Sequence, residues 1–242
     1  MRKTEERDST DLEKKSVYVR SMFNNISRRY DFLNHFLSIG IDRYWRERAI
    51  EISRLRNGEM FLDVACGTGD LSIAAAKVKP AKIIAVDFAE KMLSGFDVKK
   101  HNLNLDGKVE MVQANAETLP FPDDTFDAAS SAFGVRNFGD LKSGLAEMHR
   151  VLKKNGRIVV LEFSKPKVIP IKQIYLFYFE KILPALGRLI SRNPQAYSYL
   201  PDSVLSFPDG EAFENVLLDA NFHGVESMPL TFGIAAVYFG IK

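Results

Sequence analysis

Only one cysteine, Cys66, occurs among the 242 residues. That excludes a disulfide framework within the chain and any cysteine-rich zinc site, and it fits a reducing compartment. Histidine is scarce as well, four in all, and His101, His149 and His223 lack metal-ligand spacing, so no metal is expected. No run of 18 uncharged apolar residues exists, which argues against a membrane span. The opening stretch, MRKTEERDSTDLEKK, has no apolar segment of the secretory kind. An excess of one charge is also missing. With 33 basic against 31 acidic side chains, the surface as a whole does not suit nucleic acid. What remains, 46% apolar and 26% charged residues, is the balance of a folded cytoplasmic α/β protein with a full core.

Periodicity sets out the order of elements. Val19, Met22, Phe23 and Ile26 have the spacing of a helix, as do Ile41, Trp45, Ala49 and Ile52. Short apolar runs at Met60–Ala65, Lys82–Val86, Val109–Val112, Phe126–Ala132 and Arg157–Phe163 read as strands. Helical spacing appears between them at Leu71, Ala74, Ala75, Val78 and again at Leu141, Leu145, Met148, Leu152. Strands alternating with helices predict a parallel sheet. A last helix on Phe213, Val216, Leu217 and Ala220 precedes two strands, Gly224–Met228 and Phe232–Ile241. The few residues joining these two suit an antiparallel pair and leave no room for a crossover helix. The expected fold is therefore Rossmann-like α/β: seven strands, six parallel and the last reversed, with helices on both faces. Residues 1–56 read as an N-terminal helical cap and 57–242 as the sheet domain, with 165–208 as a helical lid inserted in it. Within 165–200 there are six basic residues and one acidic, around the aromatic run Tyr175–Phe179. Such a segment suits a cover over an apolar substrate, with peripheral membrane contact through 170–190.

The chemistry starts at FLDVACGTGDL, residues 61–71. A strand enters a turn in which Gly67 and Gly69 lack Cβ atoms and tolerate positive φ, so backbone can approach a nucleotide-like ligand. Asp87 closes the next strand, 18 residues after Gly69, where an acid accepts hydrogen bonds from both ribose hydroxyls of an adenosine. Asn115 and Ala116 follow the third strand, and an amide there can pair with the adenine edge. NAD and S-adenosylmethionine both fit a ribose acid. A dinucleotide lays its pyrophosphate on the helix N-terminus, where Asp70 would repel it; a zwitterionic methionine moiety bearing a sulfonium would be tolerated. Asp63, at the first strand's end, likewise faces a positively charged ligand. The S-adenosylmethionine reading is preferred.

Together with YDFLNHFLSIGIDRYWR at 30–46 and RVLKKNGRIVVLEFSKP at 150–166, this set resembles the menaquinone and ubiquinone C-methyltransferase family, within the class I S-adenosylmethionine-dependent methyltransferases. The resemblance runs from about Val19 to the end. It implies methyl transfer to a ring carbon of a prenylated quinol, demethylmenaquinol or the ubiquinol precursor, with cofactor contacts at Thr68, Asp87, Asn115 and Ala116. It also implies that the N-terminal signature caps the active site. Two differences are visible. Ala65 stands where the general class I turn has its first glycine, and Ala132 stands where the family often has serine, so no cofactor contact is assigned there.

For a ring carbon to attack a methyl group, the quinol hydroxyl must lose its proton, and positioning and desolvation supply most of the acceleration. Arg136, after the fourth strand, is the candidate to stabilise the phenolate; a guanidinium stays protonated and is no base. His35 is a candidate proton acceptor and Tyr30 a candidate hydrogen-bonding partner of the ring. Cys66 reads as a small side chain in the cofactor turn and Trp45 as core. A methyltransferase on another lipophilic acceptor and a non-catalytic quinone or lipid carrier are the alternatives; location at the inner membrane face and a homodimer are compatible with the sequence.

Overall fold

The computed structural model describes residues 15–27, 38, 40–178, 182 and 194–242. Helix α1 covers residues 15–27. There follow α2 (Ile41–Ile52), β1 (Met60–Val64), α3 (Asp70–Ala76), β2 (Lys82–Asp87), α4 (Glu90–Asn102), β3 (Val109–Gln113) and β4 (Phe126–Ala132). After a 3-10 turn at Val135–Asn137 come α5 (Leu141–Val151), β5 (Leu152–Phe163), α6 (Ile171–Phe177), α7 (Pro194–Ser206), α8 (Glu211–Asp219), β6 (His223–Leu230) and β7 (Ala235–Ile241).

The seven strands form one sheet in the order β3-β2-β1-β4-β5-β7-β6. β7 runs antiparallel to both β5 and β6, and the remaining pairs are parallel, so the expected topology is the observed one. Central strands are apolar without alternation because both faces are covered. Phe61, Ile83, Ala85, Val159 and Leu161 pack on one side with Trp45, Ala49, Leu71 and Phe96. Their neighbours Leu62, Ile84, Val86, Ile158 and Val160 pack on the other with Leu145, Met148, Phe213 and Leu217.

The sequence reading ends the sixth strand at Met228, whereas β6 runs on through Pro229 to Leu230. β6 has only one partner strand, and at a sheet edge the missing proline N–H costs no ladder bond. β7 in turn starts at Ala235 because Thr231, Phe232 and Gly233 all take positive φ in the connection. β1 stops at Val64, since Ala65 already has φ 55°. From β1 the chain fills the sheet outward to β3, then returns to β4 on β1's other side. Ligands of open α/β sheets bind at that reversal, beyond the carboxyl ends of the strands. No described helix is long and apolar enough to cross a membrane.

Candidate active site

The turn after β1 is tight because Gly67 and Gly69 have φ of 56° and 83°. Gly69 also has the Phe96 ring against it: a Cβ there would stand 2.2 Å from that ring. Its other wall is Asp87. The Gly67 N–H donates to Asp87 Oδ2 and the Ala89 N–H to Oδ1, both at 2.8 Å. Each carboxylate oxygen accepts one backbone bond and keeps a second lone pair for a ligand hydroxyl. Burial pushes the Asp87 carboxyl upward, and the N–H groups of Ala89, Gly67 and Phe88 oppose that by favouring the ionised form.

Two hollows flank this turn and share Ala65 and Gly67. The larger, about 690 Å³ with its open mouth, is lined by Asp87, Ala89, Met92, Asn115 and Ala116 and covered by Val19, Arg20 and Phe23 of α1. The smaller, about 310 Å³, is lined by Arg46, Asp63, Cys66, Thr68, Asp70 and Ala132. Asp63 is fully buried; Ser72 Oγ donates to its Oδ2 at 2.6 Å, while Oδ1 has no partner. Desolvation raises its pKa to about 7 against the bonds from Ser72 and the charge of Arg46. Arg46 lies on the same small hollow, held by the carboxylate and carbonyl oxygen of Asp42. One acid with an open buried oxygen and one guanidinium are the pair that an amino-acid zwitterion requires. The residues present therefore fit S-adenosylmethionine, with adenosine on the Asp87 side and the methionine end between Asp63 and Arg46.

The six candidate cofactor residues, Asp63, Gly67, Thr68, Asp87, Asn115 and Ala116, come together around the two hollows. The Asn115 amide is partly committed, because its Oδ1 accepts the Glu117 N–H at 3.1 Å; its Nδ2 is the group left for an adenine edge. The argument from Asp70 against a dinucleotide needs correction. Lys99 donates to Asp70 at 2.7 Å and Arg46 stands 3.9 Å away, so the charge of Asp70 is compensated. Asp63, whose Oδ1 has no partner, is the carboxylate here that would favour a cationic ligand. Ala132 does reach the smaller hollow, where it brings no hydroxyl. Cys66 is buried and its thiol is pushed well above the ordinary range by desolvation and the two carboxylates, which suits a structural side chain.

Arg136 lines neither hollow. Its side chain is almost fully buried, and Nη1 donates to Glu162 Oε1 at 2.7 Å and to the Phe133 carbonyl at 2.5 Å. Glu162 Oε1 also accepts the Phe163 N–H at 2.9 Å, and Glu162 Oε2 and Arg136 Nε have no partner. Burial raises the Glu162 carboxyl, and the Arg136 charge pulls it back. Next to this pair, the Tyr199 hydroxyl donates to Asn137 Oδ1 at 3.0 Å. Arg46 and Glu162 escaped the sequence reading although both stand inside quoted signatures; an arginine and an acid in strand-end or helix positions otherwise apolar were the available signals. Tyr30 and His35 lie outside the described residues. Trp45 is core, packed on Phe133 and Phe163, with its Nε1–H donating to Thr231 Oγ1 at 2.7 Å.

The ubiE/COQ5 methyltransferase family matches residues 10–242. The chain belongs to that family. It is 46% identical over 233 residues to the ubiquinone/menaquinone biosynthesis C-methyltransferase UbiE of Citrifermentans bemidjiense, covering 96% of this chain and 99% of that one. It is 42% identical over 230 residues to the demethylmenaquinone methyltransferase of Bacteroides fragilis, covering 95% and 94%. In fold it is similar to an S-adenosylmethionine-dependent methyltransferase from Aquifex aeolicus, with TM-score 0.59, 21% identity and coverage of 81% and 88%. A second such enzyme, from Thermotoga maritima, gives TM-score 0.66 at 19% identity over 92% and 99%. The protein is thus a methyltransferase of Rossmann-like fold whose donor is S-adenosylmethionine, as the resemblance implied.

Proposed function

We propose that the protein methylates a ring carbon of a prenylated quinol, demethylmenaquinol or the ubiquinol precursor. The observation carrying this reading is family membership over residues 10–242, alongside relatives whose names specify quinone biosynthesis. Bound S-adenosylmethionine supplies an electrophilic methyl group on a sulfonium. Asp87 holds the ribose, the Asn115–Ala116 turn flanks the adenine, Gly67 and Thr68 form the turn beneath, and Asp63 with Arg46 orients the amino-acid end. Val19, Phe23, Met92, Phe133 and Phe138 give the larger cleft an apolar wall, which excludes water and strengthens every charge interaction inside.

On the acceptor side, Arg136 stabilises the phenolate. Glu162 and the Phe133 carbonyl occupy Nη1 and fix the plane of the guanidinium, leaving Nη2 as the donor for the phenolate. The Arg136 Cζ lies 5.5 Å from the centre of the Phe163 ring, a further restraint on that plane. His35 takes the quinol proton and Tyr30 bonds the ring, both from the segment between α1 and α2. Residues 1–56 act as the cap and 165–208 as the lid. A membrane-borne tail places the reaction at the cytoplasmic face of the inner membrane, with contact through 170–190. A homodimer fits this reading, which has no role for nucleic acid.

The test is quinone mass spectrometry on cells lacking this gene. A demethylated naphthoquinone or benzoquinone restored to its methylated form by the wild-type gene supports the proposal and names the ring. An unchanged quinone profile, with no methyl transfer to either quinol by the purified protein, overturns it.

A further inference from the structure

Helices α6 and α7 each send a tyrosine toward the Arg136–Glu162 pair. Tyr175 turns inward from α6 and packs with Val204 against Phe163 and Ile234. Burial raises its phenol pKa, and the Glu162 carboxylate adds to that. Tyr199 comes from α7, and its hydroxyl bonds Asn137 Oδ1 at 3.0 Å across 62 residues of chain. Its ring lies 6.1 Å from that of Tyr18 in α1, tilted by 60°, a separation at which aromatic rings attract. The roles assigned to Arg136, His35 and Tyr30 use neither of these tyrosines. Tyr199 is the one bonded to the turn that carries Arg136.

That turn is strained at its start. Phe133, where the chain leaves β4, has φ 57°, a region that a bulky side chain rarely adopts. Its carbonyl accepts two side-chain donors, Arg136 Nη1 at 2.5 Å and Asn137 Nδ2 at 3.2 Å. A carbonyl only accepts, so the Asn137 amide presents Nδ2 to Phe133 and Oδ1 to Tyr199. Tyr199 is therefore the donor in its bond. Burial pushes its phenol pKa upward and so keeps that proton in place. Asn137 also lines the larger hollow, and its second Nδ2 hydrogen is the one still free to serve there. Without the Tyr199 hydroxyl, the amide keeps only the 3.2 Å bond to Phe133 among the described residues.

We propose that Tyr199 is a positioning residue for methyl transfer, whose hydroxyl fixes the Asn137 amide at the wall of the cleft. Through Asn137 and the Phe133 carbonyl that Asn137 shares with Arg136, it holds the 3-10 turn on which Arg136 stands. Tyr199 itself lines neither hollow and acts only through this turn. Such a bond adds little to stability and much to rate, because a donor slightly displaced meets the developing oxyanion badly. Tyr18 supports the ring from α1, and the next residues of that helix, Val19 and Arg20, line the larger hollow. Cap, lid and acceptor turn thus meet at one side chain. The reaction that Tyr199 serves rests on the quinol reading; the turn that it holds does not.

The experiment compares the full chain with its Tyr199→Phe, Asn137→Ala and double variants. It reads steady-state methylation of a short-tailed quinol, S-adenosylmethionine calorimetry, and amide exchange by NMR. Tyr199→Phe is expected to lower kcat about tenfold, with cofactor affinity within about twofold of wild type and Tm within about 4 °C. In the Asn137→Ala background the same change is expected to cost nothing further, since the hydroxyl then has no amide to hold. Exchange is expected to quicken at the Asn137 and Phe138 N–H groups, which bond the Gly134 and Val135 carbonyls, and to stay the same at Cys66 and Gly69 of the donor turn. A wild-type kcat in Tyr199→Phe, or a second full loss in the double variant, overturns the proposal. So does a fall of cofactor affinity and Tm in step with turnover, since Tyr199 is then a packing residue only. A wild type that methylates no quinol removes the quinol reading, and exchange then decides alone. Faster exchange confined to Asn137 and Phe138 sustains Tyr199 as the holder of the turn, and unchanged exchange overturns it.

Discussion

Asp87 and Glu162 are both carboxylates at the carboxyl end of a strand, yet they are held by different means. Asp87 is bound by two backbone N–H groups, one from the turn of Gly67 and one two residues ahead of itself. Glu162 is buried completely and is answered chiefly by a guanidinium that arrives from the connection after β4. Backbone donors come with the shape of the turn, so a glycine pattern and an acid at the right distance suffice to announce them. A charge pair between residues 26 apart leaves no local pattern. The Asp87 turn is thus built from short-range geometry, and the Arg136–Glu162 pair from tertiary electrostatics.

The comparison breaks most readily at Arg136. Arg136→Ala leaves a fully buried carboxylate without its countercharge, which costs about 3–5 kcal/mol, read as a fall in urea unfolding free energy. Adding Glu162→Gln to the same chain is expected to restore part of that stability without restoring turnover. If Arg136→Ala alone keeps the wild-type unfolding curve, the pair is not what holds the acceptor half.

At the donor end, Asp87→Ala is expected to weaken S-adenosylmethionine binding by about 2–3 kcal/mol in titration calorimetry. It also frees the Gly67 and Ala89 N–H groups, so a modest fall in Tm accompanies it. Unchanged affinity would remove Asp87 from the ribose.

Asp63 sharpens the contrast through pH. Its folded pKa is raised to about 7 from 3.8, so the folded chain holds a proton there that the unfolded chain releases. The ligand-free protein accordingly loses stability as pH rises between those values. Affinity for an ammonium group moves the other way, rising as Asp63 ionises and levelling above pH 7, by up to about tenfold per unit below it. Calorimetry on either side of pH 7 reads this, and Asp63→Asn is expected to flatten the profile. A flat profile in the wild type would separate Asp63 from the methionine end.

The smallest effect belongs to Ala65, whose φ of 55° is left-handed. Ala65→Gly relieves that conformation and is expected to stabilise the fold by roughly 0.5–1 kcal/mol, the left-handed penalty less the entropy glycine adds to the unfolded chain. A lower Tm would mean that the Ala65 methyl is needed against Gly134, where a Cβ would stand 2.7 Å from it.

The sequence by itself determined the alternation of strand and helix, the reversed last strand, and a donor turn with its acids, because each is written in spacings shorter than one βα unit. It also pointed to Asp63, Gly67, Asp87, Asn115 and Ala116 as candidate contacts, and the family resemblance added Thr68. Only the tertiary structure decided that Arg46 and Asp63 line one hollow and that Asp70 is neutralised by Lys99. It alone showed Arg136 locked to Glu162, and Tyr175 turned inward to pack with Val204. Those relations join residues far apart in the chain. They depend on which strand ends share an edge of the sheet and on how much water burial removes, and neither quantity has a period along the sequence.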